Sequence, residues 1–177
     1  MRGRQATSAA VVLAWLLAQP ALALSPTVET HVGPMYLPDA PADPTLWRPG
    51  DPGERLLLTG RVLSPAARPV AGAVVEIWQA DGDGNYRPDR YRATLRTAPD
   101  GTFHIRTALP GYVWRERHIH VVVSHPDHPR LVTRVTFSGD PRLADSWWPS
   151  LAIALDRTRV DDGEMLVGDA VIVLGGH

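Results

Sequence analysis

Apolar and polar positions alternate in short runs along most of this chain, and proline, glycine and aspartate punctuate the runs. Arg55–Leu63, Val74–Ala80, Thr102–Arg106, Ile119–Ser124, Leu131–Phe137, Leu151–Leu155 and Ala170–Leu174 read as β-strands, because side chains alternate faces along an extended backbone. Thr102–Arg106 follows the turn Pro99-Asp100-Gly101, the pattern of a hairpin strand. No long helical periodicity is present. About seven short strands with turn signals between them predict an all-β fold, a single β-sandwich domain over residues 55–177. Pro141–Ser150 reads as a short helical turn or a packed loop, with Trp147-Trp148 as core plugs. Residues 24–54 break the pattern. Gly33-Pro34, Pro38-Asp39, Pro41 to Pro44 and Pro49 to Pro52 predict an extended arm laid over the domain, with Tyr36 and Trp47 as pins.

Composition then removes whole classes of chemistry. All 18 basic residues are arginine, which excludes Schiff-base lysines, and the absence of cysteine excludes thiol nucleophiles, disulfides and thiolate metal sites. A net charge of -1, with arginines scattered among acids, gives no general attraction to nucleic acid or to an anionic membrane. At the N-terminus, the basic Met1 to Arg4, the apolar Ala9 to Ala18 and the small residues Ala21-Leu22-Ala23 have the order of a secretory signal peptide. The apolar run is short of the ~20 residues a spanning helix needs. The expectation is residues 1–23 as a signal, cleavage after Ala23, and a mature protein that is periplasmic or secreted and not held in a membrane.

The candidate chemistry lies between residues 86 and 120. His118 and His120 are two apart in a β-prone run, so both imidazoles leave one face together, as bidentate metal capture requires. Tyr86 follows the loop Asp81-Gly82-Asp83-Gly84-Asn85, and Tyr112 follows Pro110-Gly111, each at a strand end where the loops of a sandwich gather. Two phenolate oxygens and two imidazole nitrogens favour a hard, oxidised metal, ferric iron above all, because anionic oxygen stabilises the higher charge. Phenol ionises near pH ~10, so the metal must drive its deprotonation.

Several motifs in order resemble the intradiol ring-cleavage dioxygenases, the family of protocatechuate 3,4-dioxygenase and catechol 1,2-dioxygenase. They are Gly60-Arg-Val-Leu63, the stretch from Pro69 to Asp81, and Gly84-Asn-Tyr86. Asp100-Gly101-Thr-Phe103 with Arg106-Thr107, Pro110-Gly111-Tyr112, His118-Ile-His120 and Phe137 to Pro141 follow, so that the resemblance runs from Thr27 to Leu174. It implies a β-sandwich and a non-haem Fe(III) cofactor, with Tyr86 and His120 as equatorial ligands and Tyr112 and His118 as axial ones. It further implies that Tyr112 leaves the iron when a catechol binds and takes up a substrate proton. The ring then opens between its two hydroxyl-bearing carbons, with O2, to a cis,cis-muconate-type diacid. Arg115 matches an arginine that stabilises negative charge on the activated substrate, as a permanently charged guanidinium can.

Trp114 is a candidate for the pocket wall, with core packing as the other reading, and Arg134, which stands where some members carry glutamine, either faces the site or points to solvent. The implied partners are a small aromatic diol and O2, with homo-oligomerisation common in the family. Five residues separate Tyr112 from His118, where well-known members have a longer loop, so the expected pocket is more open.

Two other readings compete. A cupin needs a glutamate soon after its His-x-His, and Val121 to His125 supplies none. His125 and His128, set among prolines, read as solvent-facing histidines of a loop. The alternative from another class is an exported, non-catalytic, transthyretin-like β-sandwich binding module, because Pro69-Val-Ala-Gly-Ala-Val-Val75 resembles segments of such domains. No Gly-x-Ser-x-Gly elbow supports a hydrolase.

Overall fold

The computed structural model describes residues 23–146, 152–161 and 163–176. The expected signal segment before residue 23 and the pair Trp147-Trp148 lie outside the described residues. Within them, the chain forms strands β1 (Arg55–Leu63), β2 (Val74–Trp78), β3 (Arg92–Arg96), β4 (Thr102–Ala108), β5 (His118–His125), β6 (His128–Phe137), β7 (Ala152–Ile153), β8 (Asp156–Val160) and β9 (Gly163–Val173). Two sheets result, in the orders β4-β1-β9-β8 and β3-β2-β5-β6-β7. Pairing is antiparallel except for β1 with β9 and β6 with β7.

The fold is therefore the expected β-sandwich, and alternation builds it. Leu56, Leu58 and Val62 of β1 meet Val75 and Ile77 of β2 and Ile119, Val121 and Val123 of β5 in one core between the sheets. Gly60 lies opposite Phe103 in the β1–β4 register, and a Cβ there would stand 2.0 Å from the Phe103 ring. The aromatic ring occupies the volume a side chain would need.

β5 is buried on both faces. Its other set, His118, His120 and Val122, points away from the main core. There Trp78, Val122 and Val132 form a second, small cluster, covered by Val32 and Tyr36 from the arm and by Tyr86. The arm is tied to the sandwich along its length. Thr27 and Thr30 donate backbone hydrogen bonds to Val173 and Val132, and Leu46 donates to Arg106. Tyr36 pins the arm by donating from its hydroxyl to Glu76 at 2.8 Å, and Trp47 packs against the main core.

The structure departs from the sequence pattern in β9, which starts at Gly163 where the pattern predicts Ala170, at two edge strands and at one turn. β3 (Arg-Ala-Thr-Leu-Arg) and β8 (Asp-Arg-Thr-Arg-Val) lie at sheet edges, where polar strands are favoured and apolar alternation is weak. The segment His125 to His128, expected as a loop, is a tight hairpin with β5 running to His125 and β6 starting at His128. Both histidines are half-buried, and His128 Nδ1 donates to the Gly175 carbonyl at 2.9 Å. After β6, Leu143–Asp145 forms a single 3₁₀ turn.

Candidate metal centre

The outward face of β5 carries the first two donors. His118 Nε2 and His120 Nε2 stand 3.1 Å apart, as the strand's two-residue period dictates. His118 donates from Nδ1 to the Glu116 carbonyl at 2.8 Å, which fixes its tautomer and leaves Nε2 as a lone pair.

The third donor comes from the loop after β2. Asp81, fully buried, accepts the backbone N–H groups of Asp83 and Asn85 on one oxygen and Arg87 Nε at 2.7 Å on the other. A carboxylate satisfied in this way folds the loop around itself. The loop presents Tyr86, whose hydroxyl lies 3.0 Å from His120 Nε2. Gly84, at φ +87, lies against the Tyr112 backbone; a Cβ there would fall 2.3 Å from the Tyr112 carbonyl. The two tyrosine-bearing loops touch through glycine.

The structure brings Tyr86, His118 and His120 together and places Tyr112 apart from them. The Tyr112 hydroxyl donates to Asp140 Oδ1 at 3.2 Å, and the guanidiniums of Arg117 and Arg142 lie 4.4 and 4.1 Å from its ring centre. Asp140 also accepts the backbone N–H groups of Arg117 and Arg142.

Arg134 faces the donors as the cross-strand partner of His120. Glu116 is 2% exposed and pairs with Arg134 at 3.4 Å. A buried carboxylate of this kind requires the cation beside it.

Electrostatics keep both imidazoles neutral. Burial lowers the pKa of His118, against its hydrogen bond to Glu116, and lowers that of His120 to about 3, with His118 and Arg134 adding to the effect. Burial raises the Tyr86 hydroxyl to about 12, and the charge of Arg134 opposes that rise. Metal–nitrogen bonds of about 2.1 Å at right angles place neighbouring ligand atoms about 3 Å apart. Both separations, 3.0 and 3.1 Å, match that edge. Among the described residues no three His, Cys, Asp or Glu side chains assemble, so the donor set depends on the tyrosine. Phenolate oxygen with imidazole suits ferric iron better than the softer metals.

Beside the donors is a cavity of about 240 Å³. Trp114, Arg115 and Arg134 line it together with Tyr86, His118 and His120, and His31, Gly33 and Pro34 of the arm complete the wall. Trp114 is 76% exposed and stands at its mouth, not in a core.

Sequence reasoning did not find the roles of Gly33, Trp78, Glu116 and Asp140. Gly33-Pro34 was visible only as a turn signal, and the other three only as ordinary strand or loop residues.

The chain is a β-sandwich in which a tyrosine and two histidines converge on the outer face of one sheet, the class of scaffold that can hold a metal ion. Comparison with known proteins is consistent with that class. The dioxygenase family profile described as "Dioxygenase" matches residues 31–115. The dioxygenase domain of a dioxygenase–carbohydrate-binding protein fusion from Streptomyces sp. SirexAA-E superposes with a TM-score of 0.76 at 32% identity, covering 86% of this chain and 100% of that one. A 6-chlorohydroxyquinol 1,2-dioxygenase from Cupriavidus pinatubonensis is 34% identical over 145 residues, 66% of this chain and 52% of the relative. A protocatechuate 3,4-dioxygenase beta chain from Burkholderia cepacia is 36% identical over 118 residues, 54% of this chain and 50% of the relative. The chain belongs to the intradiol ring-cleavage dioxygenase family. It spans about half the length of the curated relatives it matches.

Proposed function

We propose that this chain is a non-haem Fe(III) intradiol dioxygenase that cleaves a catechol-type ring with O2, both oxygen atoms entering a cis,cis-muconate-type diacid. The observation that carries the reading is the convergence of Tyr86, His118 and His120, at separations of 3.0 and 3.1 Å, on the wall of a cavity. Those three residues would hold the iron. When bound, ferric iron supplies the Lewis acidity and redox capacity that make a chelated catechol reactive towards O2.

The remaining roles belong to side chains already in place. Arg115 and Arg134 bring positive charge to the cavity wall, where an ionised diol develops negative charge. Glu116 holds Arg134 towards the donors. Tyr112 is the fourth ligand that the family resemblance implies, and its contact with Asp140 suits the released form, which takes a substrate proton. Trp114 gives an incoming ring an apolar surface at the cavity mouth. The open mouth and the short loop from Tyr112 to His118 favour substituted catechols as well as the parent diol.

The test combines metal and turnover on one sample. Purified under iron-replete conditions, the protein should carry about one iron per chain and show the red-brown absorption of tyrosinate bound to ferric iron. It should also consume O2 with at least one member of a catechol panel. Chelation should remove colour and turnover together, and ferric iron should restore both where zinc does not. A colourless, iron-free protein would point instead to a transthyretin-like binding module. Export is proposed from residues 1–23; N-terminal sequencing of the mature protein should begin at Leu24. Light scattering of the mature protein tests the proposed homo-oligomer.

A further inference from the structure

His120 differs from His118 in what orients it. A metal-binding imidazole is ordinarily fixed by a hydrogen bond from its second ring nitrogen. His118 has that bond, to the Glu116 carbonyl. His120 is 3% exposed, and its Nδ1 has no hydrogen-bond partner among the described residues. Its orientation therefore comes from packing.

Two contacts supply it. The Trp78 indole stacks on the His120 ring, with centroids 4.6 Å apart and planes 6° from parallel. Gly33 of the arm closes the Cε1 edge. A Cβ on Gly33 would lie 2.4 Å from Cε1, 3.1 Å from Nδ1 and 3.2 Å from Nε2, so the ring fits only against a residue without a side chain. The φ of +77 at Gly33 further restricts the position to glycine.

The two halves are joined to each other. Trp78 Nε1 donates to the Pro34 carbonyl at 3.1 Å, and Tyr36 lies edge-on to Trp78 with centroids 5.1 Å apart. The turn that abuts His120 is thus tied to the indole that stacks on it.

We propose that Gly33 and Trp78 form a clamp that orients His120 for metal binding, in place of a hydrogen bond to Nδ1. Gly33 is a positioning residue of the centre, and the arm is a working part of it. The proposal rests on reading Tyr86, His118 and His120 as the metal donors.

Gly33→Ala pushes on the ring from the arm. Trp78→Phe keeps an aromatic ring but removes the bond to Pro34. Met35→Ala, at an exposed neighbour in the same turn, is the control. Loss of an orienting partner weakens metal binding by about 10–100-fold. That loss is expected for Gly33→Ala and Trp78→Phe, with a shifted charge-transfer band, while Met35→Ala keeps wild-type affinity and band. Far-UV circular dichroism should be unchanged in all three.

A second readout needs no metal. In histidine-labelled, iron-free protein, Gly33→Ala should move the His120 Hε1 resonance and leave that of His118 in place. Wild-type iron affinity together with an unmoved His120 resonance in Gly33→Ala overturns the clamp. If that variant does not fold, undiminished iron affinity in Trp78→Phe overturns it. A wild-type protein that takes up no iron overturns the metal-centre reading, and with it the metal role of the clamp.

Discussion

Tyr86 brings a single hydroxyl to the three side chains that converge, and in the proposed centre its oxygen is the anionic donor. Tyr86→Phe removes it and preserves the ring that packs beside Val122 and Trp78. The expected outcome is loss of the charge-transfer band and iron affinity lowered at least about 10-fold, read by absorption and metal analysis. Tyr112→Phe should behave differently, because Tyr112 lies on Asp140 and not on the histidines. It should retain iron while turnover falls by about 100-fold, the scale of a lost proton-transfer group, measured as oxygen uptake. Unchanged turnover of every catechol tried would refute its proton role.

The donor types were legible in the sequence because phenol and imidazole declare their chemistry and His-x-His declares its geometry. The Asp140 contact was not. Asp140 lies in a turn beyond β6, and only tertiary folding brings it to Tyr112. The burial of Glu116 was not legible for a related reason. Flanking arginines suggest an exposed stretch, whereas its buried state depends on Arg134, which is on the neighbouring strand.

At the level of elements, the loop between β2 and β3 carries more of the site than its glycines suggest. Asp81 serves two loop N–H groups and Arg87 from a fully buried position. Asp81→Ala leaves those donors unsatisfied, which should cost about 1–3 kcal/mol in urea denaturation. It should also weaken iron binding by loosening Tyr86. A loss of stability with iron affinity intact would separate the loop from the centre. β1 was legible to the residue, spanning Arg55–Leu63 as the pattern predicts, whereas β9 starts seven residues before the predicted Ala170. β3 and β8 were not, since edge strands are held by backbone pairing and tolerate arginine and aspartate on both faces.

On the scale of the whole molecule, the arm is attached by polar contacts as well as apolar ones. Asp51 accepts Arg90 Nη1 at 2.9 Å and the Arg48 backbone N–H at 2.7 Å, which ties the arm to the β2–β3 loop. The hydrogen bond from Arg90, reinforced by Arg48, holds the Asp51 carboxyl below its ordinary value. A carboxyl lowered in the folded state adds stability above its unfolded value near pH ~4, and that stability is lost as pH falls through the lower folded value. The urea midpoint should therefore drop on acidification through that range. Asp51→Asn should lower the midpoint at neutral pH and flatten the acid limb; an identical acid limb in both proteins would exclude this pair as a cause.

The two faces of β5 divide labour by parity. Odd positions Ile119, Val121 and Val123 build the core, and even positions His118 and His120 carry the two imidazoles of the candidate centre. Changes on one face leave the other in register, so chemistry and folding are separable along a single strand. The double variant His118→Ala/His120→Ala should keep the wild-type fold by circular dichroism and bind no iron. A scaffold with the proposed centre on one face is free to exchange its metal chemistry without rebuilding its interior.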